Sequence, residues 1–159
     1  MKTLSLSEAK MKLSALVDKV YSTDEEVVIT KNGRPSAVLI SPDEFESWKE
    51  TIRIKSDGDL MKEIAKGLAA LKKKGKLYTL NELFDLVMAP ELQTKYKIRV
   101  PDEIADLIRG SHPQLKRKIK AGLKHILADP QTGKSLKDEL IGLKSYRVSR
   151  FRIIYRIST

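Results

Sequence analysis

The chain has no cysteine and only two histidines, His112 and His125, among its 159 residues. Disulfides, thiol nucleophiles and cysteine-ligated metals are therefore excluded, and two histidines alone do not make a metal cluster. Aromatic residues make up 6% of the chain, with a single tryptophan. No apolar run approaches the ~20 residues of a membrane helix, and the opening "MKTLSLSEAK" lacks the apolar stretch of a signal peptide. These absences lead us to expect a cytoplasmic protein with no membrane partner, no metal and no cofactor.

What is present is charge, unevenly placed. Residues 1–87 carry 15 Lys and Arg against 14 Asp and Glu, a net of +1, whereas residues 88–159 carry 16 against 7, a net of +9. The second half therefore points to a polyanion partner, although a basic domain that neutralises an acidic neighbour is nearly as good a reading.

Periodicity divides the first half into elements. "TLSL" reads as a strand, and Ser7 as the N-cap of a helix with Ala9, Leu13, Leu16, Val17 and Val20 on one face. Val27–Thr30 and Ala37–Ile40 form a hairpin through Asn32-Gly33, two residues that accept positive φ. Ser41, Pro42 and Glu44 start a helix carrying Phe45, Trp48 and Ile52. The order is βαββα. Leu60, Ile64, Leu68 and Leu71 then line an amphipathic helix from Asp57 to Lys74, whose stripe needs cover from outside the first domain. Gly75 stops it, and Thr79 caps a short helix with Leu80, Leu83, Phe84 and Val87.

The second half reads as βααββ. "KYKIRV" alternates Tyr96, Ile98 and Val100 with basic residues, as a half-buried strand does. Pro101 opens a short helix with Ile104, Leu107 and Ile108. A longer helix, about Gln114–Ala128, buries Leu115, Ile119, Leu123, Ile126 and Leu127 and presents Lys116, Arg117, Lys120 and Lys124. Strands Lys144–Val148 and Phe151–Ile157 follow. In the last of these, pleating is expected to separate a core face (Phe151, Ile153, Tyr155, Ile157) from a basic one (Arg152, Ile154, Arg156). His125, beside core-facing Ile126, reads as a partly buried structural histidine, and His112 as a loop residue.

Through "LSLSEAKMKLSALVDKV", "VVITKNGRPSAVLISPDEFE" and "TLNELF", residues 1–87 resemble the Phd/YefM antitoxins. Through "YKIRVPDEIADLI", "LKRKIKAGLKHILADP", "SLKDELIGLKSYRV" and "FRIIYRI", residues 96–157 are similar to RelE/ParE-type toxins. The joint resemblance implies an α+β type II toxin-antitoxin module in one chain. Its parts would be a dimerisation and DNA-binding domain (1–55), a toxin-neutralising helical segment (56–87), a linker (88–95) and a toxin-like domain (96–159) that lacks its C-terminal strand. Met88 stands where a separate toxin would begin.

The antitoxin resemblance implies a homo-oligomer that binds operator DNA and represses its own transcription. The matching positions are Lys10, Lys31, Asn32 and Arg34, suited to backbone phosphates; scattered solvated cations are the alternative. Neutralisation would fall to Leu60, Ile64, Leu68, Leu71, Leu83 and Phe84, acting in cis or in trans. The toxin resemblance implies Arg147, Arg152 and Lys137 as catalytic cations of a ribosome-dependent mRNA endoribonuclease, inactive in this chain. Alternatives are a nuclease held silent in cis, a gyrase-directed ParE-like domain, and basic residues that only contact the antitoxin helix.

Overall fold

The computed structural model describes residues 1–73, 75–85 and 95–158. The expected helix end at Lys74, the role of Val87, the start at Met88 and most of the 88–95 linker lie outside the described residues. The chain forms two compact units, Met1–Lys49 and Glu50–Thr159.

The first unit has a three-stranded sheet of order β1-β2-β3, with β1 (Lys2–Ser5) parallel to β2 (Val27–Lys31) and β3 (Arg34–Leu39) antiparallel to it. Between β1 and β2 run two helices rather than the expected one: α1 (Leu6–Met11) and α2 (Leu13–Thr23). The cap is Ser5, not Ser7, because Glu8 lies three residues beyond Ser5 and closes a capping box. The Ser5 hydroxyl accepts from Glu8 N–H at 3.3 Å, and Glu8 Oε2 accepts from Ser5 N–H at 2.9 Å. Lys12, at φ −118° and ψ 18°, interrupts the helix, and Asp24 ends α2 in the left-handed region at φ 52°. That break turns the apolar face: Leu4, Ala9, Leu16, Val20 and Val27 form the core with Ile29 and Leu39, while Leu13 and Val17 are exposed. The hairpin forms on Asn32 (φ 53°) and Gly33 (φ 75°), as their tolerance of positive φ predicts.

Helix α3 (Pro42–Lys55) straddles the boundary between units. Ser41 caps it, accepting from Glu44 N–H at 3.0 Å while donating to Asp24 Oδ1 at 2.6 Å. Phe45, Trp48 and Ile52 are exposed, and the buried positions are Ser47, Thr51 and Ile54.

In the second unit, α4 (Gly58–Lys72) is capped by Asp57, whose carboxylate accepts from Leu60 N–H. After it come β4 (Leu77–Tyr78) and α5 (Leu80–Leu83), then β5 (Val100–Pro101), α6 (Asp102–Arg109) and α7 (Pro113–Ala128). The unit closes with β6 (Lys134–Ser135), a 3-10 turn (Asp138–Leu140), β7 (Lys144–Val148) and β8 (Phe151–Tyr155). The strand expected over "KYKIRV" is reduced to Val100 and Pro101, which pair with the two residues of β4, too short a partner to hold Tyr96–Arg99 in a ladder. The last strand ends at Tyr155 rather than Ile157.

Strands β6, β7 and β8 form an antiparallel sheet covered on both faces. On β8, Ile153 packs against the cluster of Leu80, Leu83, Val100, Ala105, Ile108 and Leu123. Its neighbour Ile154 packs against the cluster of Ile54, Ile64, Leu136, Leu140 and Leu143. Successive residues of a strand point to opposite faces, so the expected division into a core face and a solvent-side basic face does not hold.

Candidate functional site

Cations gather at one end of the first unit. The parallel register pairs Ser5 with Thr30, which brings the start of α1 beside the end of β2, where the hairpin turns. Lys31 and Arg34 are register partners flanking Asn32-Gly33, and all four residues are exposed. Lys10 lies in the last turn of α1, also exposed. The side chains of Lys10, Lys31 and Arg34 have no carboxylate partner among the described residues. A tight turn flanked by unpaired cations makes a surface suited to backbone phosphates, and Lys10 adds a further exposed cation at the end of α1.

A second site is built on the face of the β6-β7-β8 sheet that receives α3 and α4. Glu50 Oε1 accepts from Arg152 Nε at 2.6 Å and from Ser145 Oγ at 2.7 Å. The Glu50 and Arg152 side chains are only 13% and 17% exposed, which makes this the most buried ion pair among the described residues. Burial alone would push the Glu50 carboxyl up, but the hydrogen bonds from Arg152 and Ser145 and the charges of Arg152 and Arg53 hold it below its ordinary value. Next to it, Thr51 Oγ1 accepts from Lys137 N–H at 2.9 Å, and Lys55 reaches Asp138 and Glu139. Three residues of α3, Glu50, Thr51 and Lys55, thus hold β7, β8 and the segment that leads into the 3-10 turn. Helix α4 extends the contact, with Leu60, Met61, Ile64 and Leu68 in the cluster that holds Leu136, Leu140, Leu143 and Ile154.

Of the expected catalytic cations, Arg147 and Arg152 are register partners on adjacent strands. Arg147 is exposed, Arg152 is tied to Glu50, and Lys137 precedes the 3-10 turn. Of the expected neutralising residues, Leu60, Ile64 and Leu68 pack as described, Leu83 and Phe84 belong to the other cluster, and Leu71 is half-buried outside both. Glu50 and Ser145 escaped sequence reasoning, since one glutamate in a charged helix carries no periodic signal. His125 is corrected: it is exposed, with Nδ1 2.8 Å from the Tyr146 hydroxyl. No group of three His, Asp or Glu side chains among the described residues is placed to hold a metal, and no described helix is long and apolar enough to cross a membrane.

The chain mixes helices and small sheets: one unit displays cations at its hairpin and at the end of α1, and in a second unit helices cover both faces of a short sheet. Residues 1–74 match the family model "Antitoxin Phd_YefM, type II toxin-antitoxin system". The chain is 39% identical over 83 residues to antitoxin RelF of Mycobacterium tuberculosis, covering 52% of this chain and 88% of the relative. It is 38% identical over 69 residues to antitoxin RelB of the same organism, covering 43% and 78%. Among solved structures, the toxin-antitoxin complex RelBE2 of that organism is similar at 35% identity, covering 56% of this chain and 99% of that one, with a TM-score of 0.47. The chain belongs to the Phd/YefM family of type II antitoxins, through its N-terminal part.

Proposed function

We propose that this antitoxin carries its own toxin-like partner: residues 1–55 dimerise and bind operator DNA as an autorepressor, and residues 56–87, with the end of α3, neutralise a RelE-like segment, residues 96–159, joined through residues 88–95. The observation that carries the reading is the seating of Glu50, Ile54 and α4 on the β6-β7-β8 sheet, where a carboxylate from the antitoxin-family segment occupies the guanidinium of Arg152. A guanidinium engaged in a bidentate or charge-assisted bond is withdrawn from phosphate chemistry. The full chain is therefore inert as a nuclease on this reading. Dimerisation is supported by an exposed stripe at Leu13, Val17 and Tyr21 of α2, four residues apart, with Met11 exposed beside it. The cations at Lys10, Lys31 and Arg34, with Asn32 in the turn between them, form the proposed phosphate-facing surface.

The same contact supports a second reading, an mRNA endoribonuclease held silent in cis, because Arg147 and Arg152 lie opposite each other and only one is covered. Co-expression of tagged residues 1–87 with separate residues 88–159 tests the neutralising contact: the two co-purify, and Ile64→Asp with Leu68→Asp in the tagged piece abolishes the association. Unimpaired co-purification of the double variant would place the interface elsewhere.

A further inference from the structure

The hairpin of the first unit carries covalent chemistry that the reading above does not use. The chain has two asparagines, Asn32 and Asn81, and only Asn32 is followed by glycine. That pairing is the one most open to loss of the side-chain amide, because a glycine puts no side chain in the way when its backbone nitrogen attacks the asparagine amide carbon. Both residues are exposed, at φ 53° for Asn32 and 75° for Gly33. Nothing lies within 4 Å of the place where a Gly33 Cβ would stand, so a ring closing between the two residues meets no packed neighbour. Among the described residues the Asn32 amide has no hydrogen-bond partner, and the Gly33 N–H joins none of the turn, loop or cap bonds.

The comparable positions are held. Asn81 is half-buried in α5, and the nitrogen that would attack it already donates, from Glu82 N–H to Thr79 Oγ1 at 3.3 Å, while the Glu82 carboxylate closes the capping box. Asp57-Gly58 presents a carboxylate, a poorer electrophile than an amide, and that carboxylate accepts from Leu60 N–H at 3.0 Å. At the hairpin the flanking residues act the other way. Lys31 and Arg34 are exposed and have no carboxylate partner among the described residues, and their charges favour the anion left when the Gly33 N–H loses its proton, which is the attacking form.

We propose that Asn32 is a site of spontaneous deamidation, and that the change weakens the hairpin's hold on phosphate. The deprotonated Gly33 nitrogen bonds to Asn32 Cγ, the Cγ–Nδ2 bond breaks, and the amide nitrogen takes up a proton and leaves as ammonia. Water then opens the five-membered imide at either carbonyl, giving aspartate or, with one more methylene in the main chain, isoaspartate. The net reaction consumes one water and releases one ammonia, with no oxidation or reduction. Either product sets a carboxylate between Lys31 and Arg34, and isoaspartate also lengthens a loop whose register depends on two residues. The reaction stands on the turn alone; its effect on binding rests on the reading of this hairpin as the operator-facing surface.

The test holds the full chain folded in mildly alkaline buffer and follows it over days by peptide mass spectrometry, with a urea-unfolded sample beside it. In the folded chain the peptide containing Asn32 gains the mass of an amide-to-acid change and becomes a substrate for an isoaspartyl methyltransferase, at a rate within a few-fold of the unfolded chain. The peptide containing Asn81 is unchanged over the same period. Protection of Asn32 in the folded chain, or equal conversion of Asn81, overturns the site. Asn32→Asp reads the consequence without ageing. Against a duplex of the chain's own promoter, it lowers the steepness of log K against log salt by about 0.9, the share of one phosphate contact, with the circular dichroism spectrum unchanged. A parent that binds and a variant that binds identically overturn the effect on binding, whereas a parent that binds no duplex overturns the operator reading itself and leaves the mass result standing.

Discussion

Replacing Glu50 by alanine removes the acceptor for both Arg152 and Ser145 in a place where water reaches little of either partner. The cost has two parts: the lost attraction, and a guanidinium and a hydroxyl left without their bonds. Breaking a buried pair from one side typically costs about 3–5 kcal/mol. The pair keeps roughly one-seventh exposure, so the lower end applies, about 3 kcal/mol. Glu50→Gln keeps the shape and one acceptor oxygen and loses the charge, for about half that cost. Arg152→Ala removes the charge that Glu50 balances and is destabilising too, while the double variant loses less than the sum. Urea unfolding of the four chains gives a coupling energy of about 2 kcal/mol, inside the range for contacting groups. A coupling below about 0.5 kcal/mol, the level at which independent sites add, would refute the argument that this contact ties the antitoxin-family segment to the sheet.

The same carboxyl sets an acid limit: its folded value lies below 4.5, so its contribution is complete above that pH and is lost as pH falls below it. Glu50→Gln should flatten the pH dependence of unfolding in that window, as measured by circular dichroism. At the hairpin end, Lys10→Glu with Lys31→Glu should abolish binding to a duplex of the chain's own promoter and leave the circular dichroism spectrum unchanged, because both residues are exposed. Binding by the double variant equal to the parent at moderate salt would show that the DNA surface lies elsewhere. On α2, Val17→Asp should convert a dimer to a monomer by light scattering with the fold retained; an unaltered mass would take the Leu13–Val17–Tyr21 stripe out of the interface.

What could be read in the sequence was what local chemistry decides. Asn32-Gly33 specifies its turn by positive φ, Ser41-Pro42 specifies a helix start, and the spacing of Leu60, Ile64 and Leu68 specifies a stripe that needs cover. Two caps competed at the first helix, and Ser5 prevailed over Ser7 because only Ser5 has a glutamate at the right distance to close the box. Long-range partners were not legible. In the helix that carries Phe45, Trp48 and Ile52, the chain buries Thr51 and Ile54, whose partners Lys137 and Leu136 lie more than 80 residues onward. Arg152 could be singled out by resemblance, but nothing local to "FRIIY" indicates that Glu50 sits on it. The alternation in "KYKIRV" described a strand whose partner, β4, is too short to pair it.

The central claim is that the antitoxin-family segment and the toxin-like segment are docked partners held in one chain, and cutting the connection measures it. A protease site inserted between residues 88 and 94 leaves the full chain intact until cleavage. While joined, the segments see each other at an effective concentration on the order of millimolar, so they remain together at any dilution. After cleavage, sedimentation at decreasing concentration should show the two pieces still associated at micromolar levels and separating only on further dilution, with Glu50→Ala moving the separation to higher concentration. Pieces that part at once at micromolar concentration, in the parent as in the variant, would contradict the account.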